Sequence, residues 1–141
     1  MGATHTLIAS QNIANQITQI APNGVDYAVD ASGNKTAMEN AFLAVREKGG
    51  TCVIAGNLGK DEKIQLHPFD LIKGKRIVGT WGGETLPDRD IPKYVRAYAQ
   101  GKLPFNRMIT HRFNLEEINK AFDVLVQGGA GRIIVKTKHD H

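Results

Sequence analysis

Small and polar residues follow three short apolar runs of this 141-residue sequence, and they are its best candidates for ligand binding. They are Asp30-Ala31-Ser32-Gly33, Ala55-Gly56-Asn57-Leu58 and Thr80-Trp81-Gly82-Gly83. In open α/β sheets, ligands bind beyond the carboxyl ends of the strands, and glycines there let a flat ligand approach the backbone closely. Turns select the same residue types, so the composition of these ends leaves a ligand site and ordinary turns as equal alternatives.

Glycine-rich phosphate-binding motifs are not supported by the sequence. A dinucleotide-binding turn needs G-x-G-x-x-G between a strand and a helix. Gly129-Ala130-Gly131 matches only the first half and follows a predicted helix, which indicates a helix C-terminus. The segment from Gly56 to Lys60 has too few residues between its glycines for a P-loop, and no Ser or Thr follows the lysine.

Metal-binding and nucleophilic arrangements are not supported either. His5, His67 and His111 have no Cys or carboxylate at ligand spacing, and His139-Asp140-His141 is better explained as a frayed terminus than as a chelating site. Cys52, the only cysteine, lies in an apolar run and is predicted to be a buried, inert thiol. We therefore assign no catalytic and no metal-binding residue.

The overall composition indicates a folded soluble domain, with 41% hydrophobic and 23% charged residues. No apolar run is long enough for a membrane span, and the N-terminus does not resemble a signal peptide. One cysteine cannot form an internal disulfide, which favours the reducing cytoplasm. The net charge of +4 is spread along the chain, so neither nucleic acid nor membrane is expected as a partner.

Alternating strand and helix patterns predict an α/β fold with a parallel sheet. Strands are expected at 5–9, 25–31, 52–56, 76–81 and 132–136. The continuous apolar run at 52–56 is typical of a strand covered on both faces. Residues 87–111 do not continue this alternation of strand and helix patterns.

Helices are predicted between these strands from apolar residues at helical spacing. One carries Ile13, Ile17 and Ile20, and a second carries Met38, Ala41, Phe42 and Val45. Two more are expected after residue 89, with Asp90 capping the first and a capping box of Asn114 and Glu117 opening the second.

The order of these motifs resembles the C-terminal portion of medium-chain dehydrogenases of the zinc alcohol dehydrogenase type. The segments that carry the resemblance are 2–6, 24–27, 30–33, 49–56, 73–80, 101–104, 109–113, 115–122 and 131–132. It implies a partial Rossmann-like nucleotide-binding domain at 1–88, and helices and a strand returning to the catalytic domain at 89–141. In the family's sheet order 3-2-1-4-5-6, strand 25–31 is the fourth. Asp30 is therefore not the ribose-binding acid, and the first two strands and the zinc ligands are expected to be absent.

The resemblance also implies that seven residues contact an NAD or NADP cofactor. Ser32 falls near a ribose, and Ala55, Gly56 and Asn57 lie along the nicotinamide. Thr80 and Trp81 hold the carboxamide of the nicotinamide through backbone groups, and Arg132 contacts the pyrophosphate. In the complete enzyme, zinc stabilises the alkoxide of an alcohol substrate, and hydride passes to the nicotinamide. The chain alone is expected to be inactive.

Two alternatives remain: a fragment of a zinc-free quinone or enoyl reductase, and a non-enzymatic self-associating module. Without the family's first two strands, strand 25–31 has an open apolar edge. Either self-association into a homo-oligomer or movement of strand 5–9 beside strand 25–31 is expected to cover it.

Overall fold

The computed structural model describes residues 2–10 and 12–137. The chain forms two compact units, one of Ala3–Thr85 and one that begins at Leu86. Both are α/β, and all their paired strands are parallel, which confirms the predicted fold class. No helix among the described residues is long and apolar enough to cross a bilayer.

The unit Ala3–Thr85 contains a three-stranded parallel sheet. Its elements are α1 (Ile13–Ile20), β1 (Tyr27–Asp30), α2 (Lys35–Ala44), β2 (Thr51–Ile54), α3 (Pro68–Ile72) and β3 (Arg76–Gly79), followed by a short 3-10 turn at Gly82–Glu84. The strand order is β1-β2-β3. The predicted strands at 25–31, 52–56 and 76–81 are therefore present in shorter form, and so are the two predicted helices.

The predicted strand at 5–9 is wrong, because residues 5–9 form no strand and are exposed. The alternative that this segment pairs with strand 25–31 is also wrong, since β1 has β2 as its only strand neighbour. A single short strand gains no ladder hydrogen bonds to offset the entropy of ordering it. Among the described residues, one edge of β1 therefore has no strand beside it, and cover by self-association stays a prediction.

The core of this unit lies on one face of the sheet. Phe42 and Val45, from α2 and the residue after it, pack against Cys52 of β2, and all three are fully buried. The register aligns Cys52 with Ala28 and Ile77 on the same face. Burial raises the pKa of the Cys52 thiol, with a smaller contribution from the charge of Asp30. The prediction that Cys52 is buried is thus confirmed.

The second unit contains a two-stranded parallel sheet. Its elements are α4 (Pro87–Ala99), β4 (Ile109–Asn114), α5 (Ile118–Val126) and β5 (Arg132–Lys136), with 3-10 turns at Phe105–Met108 and Leu115–Glu117. Strand β4 was not predicted, although Ile109, His111 and Phe113 alternate with exposed residues along it. This period-two pattern was the available signal.

Asp90 does not cap α4 at its start, because the helix begins three residues earlier, at Pro87. Proline suits the first helical position, where no backbone N–H is needed. The buried Asp90 carboxylate instead accepts hydrogen bonds from the Leu86 amide at 3.0 Å, from Arg89 at 2.7 and 2.8 Å, and from Lys93 at 2.9 Å. These contacts, Arg89 first, hold the pKa of Asp90 well below its usual range.

Replacing this carboxylate is expected to weaken the second unit. Asp90→Asn should lower the melting temperature by a few degrees at pH 7, because the amide keeps the shape but loses the charge that four donors from three residues contact. A depressed pKa in the folded state means that the wild-type stabilisation is present above about pH 4, the value of a free Asp, and is lost as the pH falls further. Melting curves of both proteins across this range should converge in acid. A constant difference down to low pH would contradict the assignment.

Candidate cofactor-binding site

The parallel register brings three strand ends to one edge of the sheet. Asp30, Ile54 and Gly79 are the last residues of β1, β2 and β3, and they align in one row. Six of the seven sequence-predicted site residues follow directly at this edge: Ser32, Ala55, Gly56, Asn57, Thr80 and Trp81. The ends of adjacent parallel strands are the place where α/β sheets bind ligands.

A buried carboxylate organises the first part of this edge. Asp30, only 5% exposed, accepts hydrogen bonds from the Ser32 hydroxyl at 2.6 Å and the Ser32 amide at 3.3 Å. Its backbone carbonyl accepts from the amides of Ala55 and Gly56 at 2.8 and 3.0 Å, joining the ends of β1 and β2. The Ser32 hydroxyl also accepts from the Asn34 amide at 3.1 Å. The role of Asp30 was missed, although an Asp two residues before a Ser is typical of an Asx turn.

The loops after β1 and β2 touch at two glycines. A Cβ on Gly56 would lie 2.6 Å from Asp30 Oδ2 and would clash with the Gly33 backbone. A Cβ on Gly33, which has a φ of +69°, would lie 2.5 Å from the Asn57 carbonyl oxygen. The edge is therefore formed by closely packed backbone with no space for side chains at these two positions.

The end of β3 presents an unpartnered hydroxyl and an exposed aromatic ring. The Thr80 amide donates to the Ile54 carbonyl at 3.0 Å, which fixes the backbone. The Thr80 hydroxyl oxygen is buried and has no hydrogen-bond partner among the described residues. The next side chain, Trp81, is 91% exposed. Buried polar atoms without partners are uncommon in folded proteins and mark positions to examine for function.

A cleft of about 410 Å³ adjoins the same edge. Its apolar base contains Met38, Ile54 and Ile64, and its rim runs from Gly56 to Lys60. Glu62 closes the rim by accepting a hydrogen bond from the Gly59 amide at 2.9 Å. Among the residues of this cleft, Gly56 and Asn57 were predicted as contacts of the nicotinamide, and Ile64 and Glu62 were not predicted.

Arg132, the seventh predicted residue, belongs to the other unit. It is the first residue of β5 and is exposed, and its carbonyl accepts a hydrogen bond from the Thr110 hydroxyl at 3.4 Å. Arg132 therefore lies in a different unit from the other six predicted residues.

The described residues contain no group of three or more His, Cys, Asp or Glu side chains arranged to hold a metal ion. His139-Asp140-His141, which the sequence identified as weak potential chelators, lie outside the residues that the structure describes. Residues 2–10 and 12–137 therefore do not provide the set of His, Cys, Asp or Glu ligands that a protein zinc site needs.

Known proteins are similar to this chain both in sequence and in fold. Alcohol dehydrogenase 1 of Petunia hybrida is 35% identical over 123 residues, which are 87% of this chain and 32% of the petunia enzyme. This chain thus spans about a third of that relative's length. An alcohol dehydrogenase zinc-binding domain protein from Burkholderia ambifaria has a TM-score of 0.88 at 28% identity, covering 98% of this chain and 37% of that one.

One solved relative has a bound dinucleotide. A zinc-binding dehydrogenase from Sinorhizobium meliloti bound to NADP is 29% identical with a TM-score of 0.63, over 84% of this chain and 32% of that chain. The zinc-binding dehydrogenase family matches residues 1–100. With most of its length matched by this family, the chain belongs to the zinc-binding dehydrogenase family.

Proposed function

We propose that the strand-end edge of the unit Ala3–Thr85 holds the nicotinamide end of NAD or NADP in a zinc-type alcohol dehydrogenase. The observation that carries this proposal is the buried Thr80 hydroxyl without a partner, at the edge where α/β sheets bind ligands. A carboxamide offers both a hydrogen-bond donor and an acceptor, so it can satisfy a hydroxyl that can serve as either. The NADP-bound relative supports the cofactor class.

Each residue at this edge has a binding task in the proposed site. Asp30 fixes the Ser32 hydroxyl through a 2.6 Å hydrogen bond, which leaves Ser32 oriented for a ribose hydroxyl. Gly33 and Gly56 keep side chains out, so that a planar ring can lie along the backbone of residues 55–57. Trp81, exposed beside Thr80, can cover a bound ring and exclude water from it. Arg132, which lies in the other unit and not at this edge, is proposed separately to contact the pyrophosphate, as a guanidinium is suited to do.

The proposed reaction is oxidation of a small alcohol to an aldehyde or ketone. The bound dinucleotide supplies the hydride acceptor, and the residues of this chain position it. The described side chains do not fit a zinc ion, so they are assigned no part in activating the alcohol. Residues 89–141 are proposed to form the return segment of the catalytic domain. By itself, the 141-residue chain is expected to bind cofactor without turnover.

We also propose the cytoplasm as the site of action, because the single cysteine is buried as a free thiol. Alcohol dehydrogenases act on small molecules, and the spread of basic residues offers no concentrated patch for nucleic acid.

The Thr80 hydroxyl provides a test in which affinity and stability change in opposite directions. Thr80→Val should weaken NADH binding about 5- to 10-fold, the value of one hydrogen bond. Its melting temperature should stay the same or rise, because a buried hydroxyl without a partner costs stability in the free protein. Calorimetric titration and thermal melts measure the two effects.

Thr80→Ser is the matched control, since it keeps the hydroxyl and should keep most of the affinity. Unchanged NADH binding by Thr80→Val would show that the Thr80 hydroxyl does not contact the cofactor. A valine variant that is both less stable and less able to bind would indicate a structural role instead.

A further inference from the structure

A cavity lies at the amino ends of the strands in the unit Ala3–Thr85, opposite the strand-end edge of the proposed cofactor site. It has a volume of about 610 Å³, and we call it the amino-end cavity. Its lining comes from α1 and from segments that precede the three strands, at 21–24, 43–48 and 70–75. Pockets for small molecules usually have volumes of about 300–1,000 Å³. The amino-end cavity is therefore large enough for a ligand, and no residue of the proposed cofactor site lines it.

The loops around the amino-end cavity are fixed to one another by backbone contacts. The Arg46 amide donates to the Val25 carbonyl at 2.9 Å, and the Lys48 amide donates to the Lys73 carbonyl at 3.0 Å. A Cβ on Gly24 would lie only 2.7 Å from the Arg46 backbone, so the loops meet without intervening side chains. The cavity is thus formed before a ligand binds, and a preformed site loses little conformational entropy on binding.

Basic side chains outnumber acidic ones in the lining. The lining contains four basic and two acidic residues: Arg46, Lys48, Lys73, Lys75, Glu47 and Asp70. Glu47 pairs with Lys73 at 2.9 Å. Lys73 first, with smaller contributions from Lys75 and Lys48, holds the pKa of Glu47 below its usual value. One carboxylate therefore faces three ammonium groups, and the lining as a whole keeps an excess of two positive charges.

Two of the four cations are half-buried and held in a fixed position. Lys75 Nζ donates to the Leu43 carbonyl at 2.7 Å and lies 5.7 Å from the centroid of the Phe42 ring. Neither contact neutralises the ammonium, which keeps two further N–H groups for another acceptor. Arg46 donates from Nε to Asp26 at 2.6 Å and from Nη1 to two backbone carbonyls at 2.6 and 3.2 Å. Among the described residues, these bonds leave its Nη2 for a ligand.

We propose that the amino-end cavity binds a small molecule that carries a phosphate monoester group. Such a group has about 1.5 to 2 negative charges at pH 7, which match the excess positive charge of the lining. Its terminal oxygens accept hydrogen bonds from several donors at once, as the Lys75 ammonium and the Arg46 guanidinium provide. Ile17, Pro22 and Leu43 supply apolar wall for the organic part of the molecule. The proposal goes beyond the proposed function, because the two sites share no residue.

The test is calorimetric titration of the chain with phenyl phosphate at about pH 8, where the second phosphate proton is lost. Binding should be saturable, with a dissociation constant below about 1 mM. Phenyl sulfate has a similar shape but a single charge, so it should bind about fivefold more weakly. Phenyl phosphate should also raise the melting temperature, because it binds only the folded chain. Addition of NADH should leave the affinity for phenyl phosphate unchanged.

Three lysine variants locate the binding site. Lys75→Gln should weaken phenyl phosphate binding about tenfold, because the amide can still donate to the Leu43 carbonyl but carries no charge. Lys48→Gln should weaken it about threefold, as expected for an exposed cation, and it tests the site even if Lys75→Gln does not fold. Lys63→Gln is the matched control, since Lys63 is exposed and does not line the cavity. Circular dichroism checks that each variant is folded.

The proposal is overturned if phenyl phosphate does not bind saturably, or if phenyl sulfate binds equally well. Unchanged binding by both cavity variants, or an equal loss in Lys63→Gln, would also overturn it. Competition by NADH would move phenyl phosphate to the cofactor edge, with the same consequence. A chain that binds phenyl phosphate but not NADH would contradict only the proposed function, so the two failures are distinguishable.

Discussion

Gly56→Ala is expected to destabilise the unit Ala3–Thr85 by about 2–3 kcal/mol, the usual cost of forcing extra volume into packed structure. The new methyl group would lie 2.6 Å from Asp30 Oδ2 and against the Gly33 backbone. Because the Gly33 neighbour is backbone and the Asp30 carboxylate is buried and held by Ser32, the loops after β1 and β2 must separate. The same movement would displace Ser32, so NADH affinity should fall at least tenfold. Chemical denaturation and calorimetric titration measure the two losses.

Gly79→Ala is the matched control for this prediction. Gly79 ends β3 at the same sheet edge, but a Cβ there would meet only the Ile54 carbonyl oxygen, at 4.0 Å. We expect a stability change of less than about 0.5 kcal/mol, typical of unconstrained sites. Equal effects of the two substitutions would show that the contact between Gly33 and Gly56 does not form.

Phe42→Ala is expected to abolish cooperative folding of the unit Ala3–Thr85. Phe42 is completely buried, and it packs with Val45 and Cys52 at the centre of the core. Removing a buried phenyl ring costs about 3–5 kcal/mol. A small domain has only about 5–15 kcal/mol of total stability, and this sheet is covered by helices on one face only. Thermal unfolding followed by circular dichroism should show a broad transition or none.

Leu43→Ala, at the neighbouring position of α2, is the matched control for truncating an apolar side chain outside the core. Leu43 is 52% exposed, so its truncation should cost less than about 1 kcal/mol. If Phe42→Ala unfolded with the same midpoint as Leu43→Ala, the core would have to lie elsewhere.

The sequence predicted those elements whose pattern depends on local periodicity. Strands β1, β2 and β3 were found because apolar runs ended in small or polar residues, and α2 because Met38 and Phe42 repeat at helical spacing. Residues 5–9 have an equally apolar pattern but form no strand, since a strand depends on a neighbour that local sequence does not reveal. Strand β4 was missed although a local signal was available, since Ile109, His111 and Phe113 alternate with exposed residues along it.

The resemblance named several residues of the candidate site, but not the contacts that hold them in place. The resemblance indicated Ser32, Gly56 and Thr80, and the register brings them to one edge. The hydrogen bonds of Asp30 to Ser32 are local and had a sequence signal, whereas the contact between Gly33 and Gly56 depends on how two loops meet. Such contacts between distant residues cannot be deduced from composition, and neither can the lack of a partner for the Thr80 hydroxyl.

The most direct test of the central claim is titration of the chain with NADH while the fluorescence of Trp81 is recorded. Trp81 is the only tryptophan in the sequence and is exposed at the proposed nicotinamide edge. We predict saturable quenching of its emission by NADH, weakened in parallel with binding by Gly56→Ala and retained by Gly79→Ala. Folded chain that shows no saturable quenching, and no heat of binding in calorimetry, would contradict the assignment of a cofactor site to this edge.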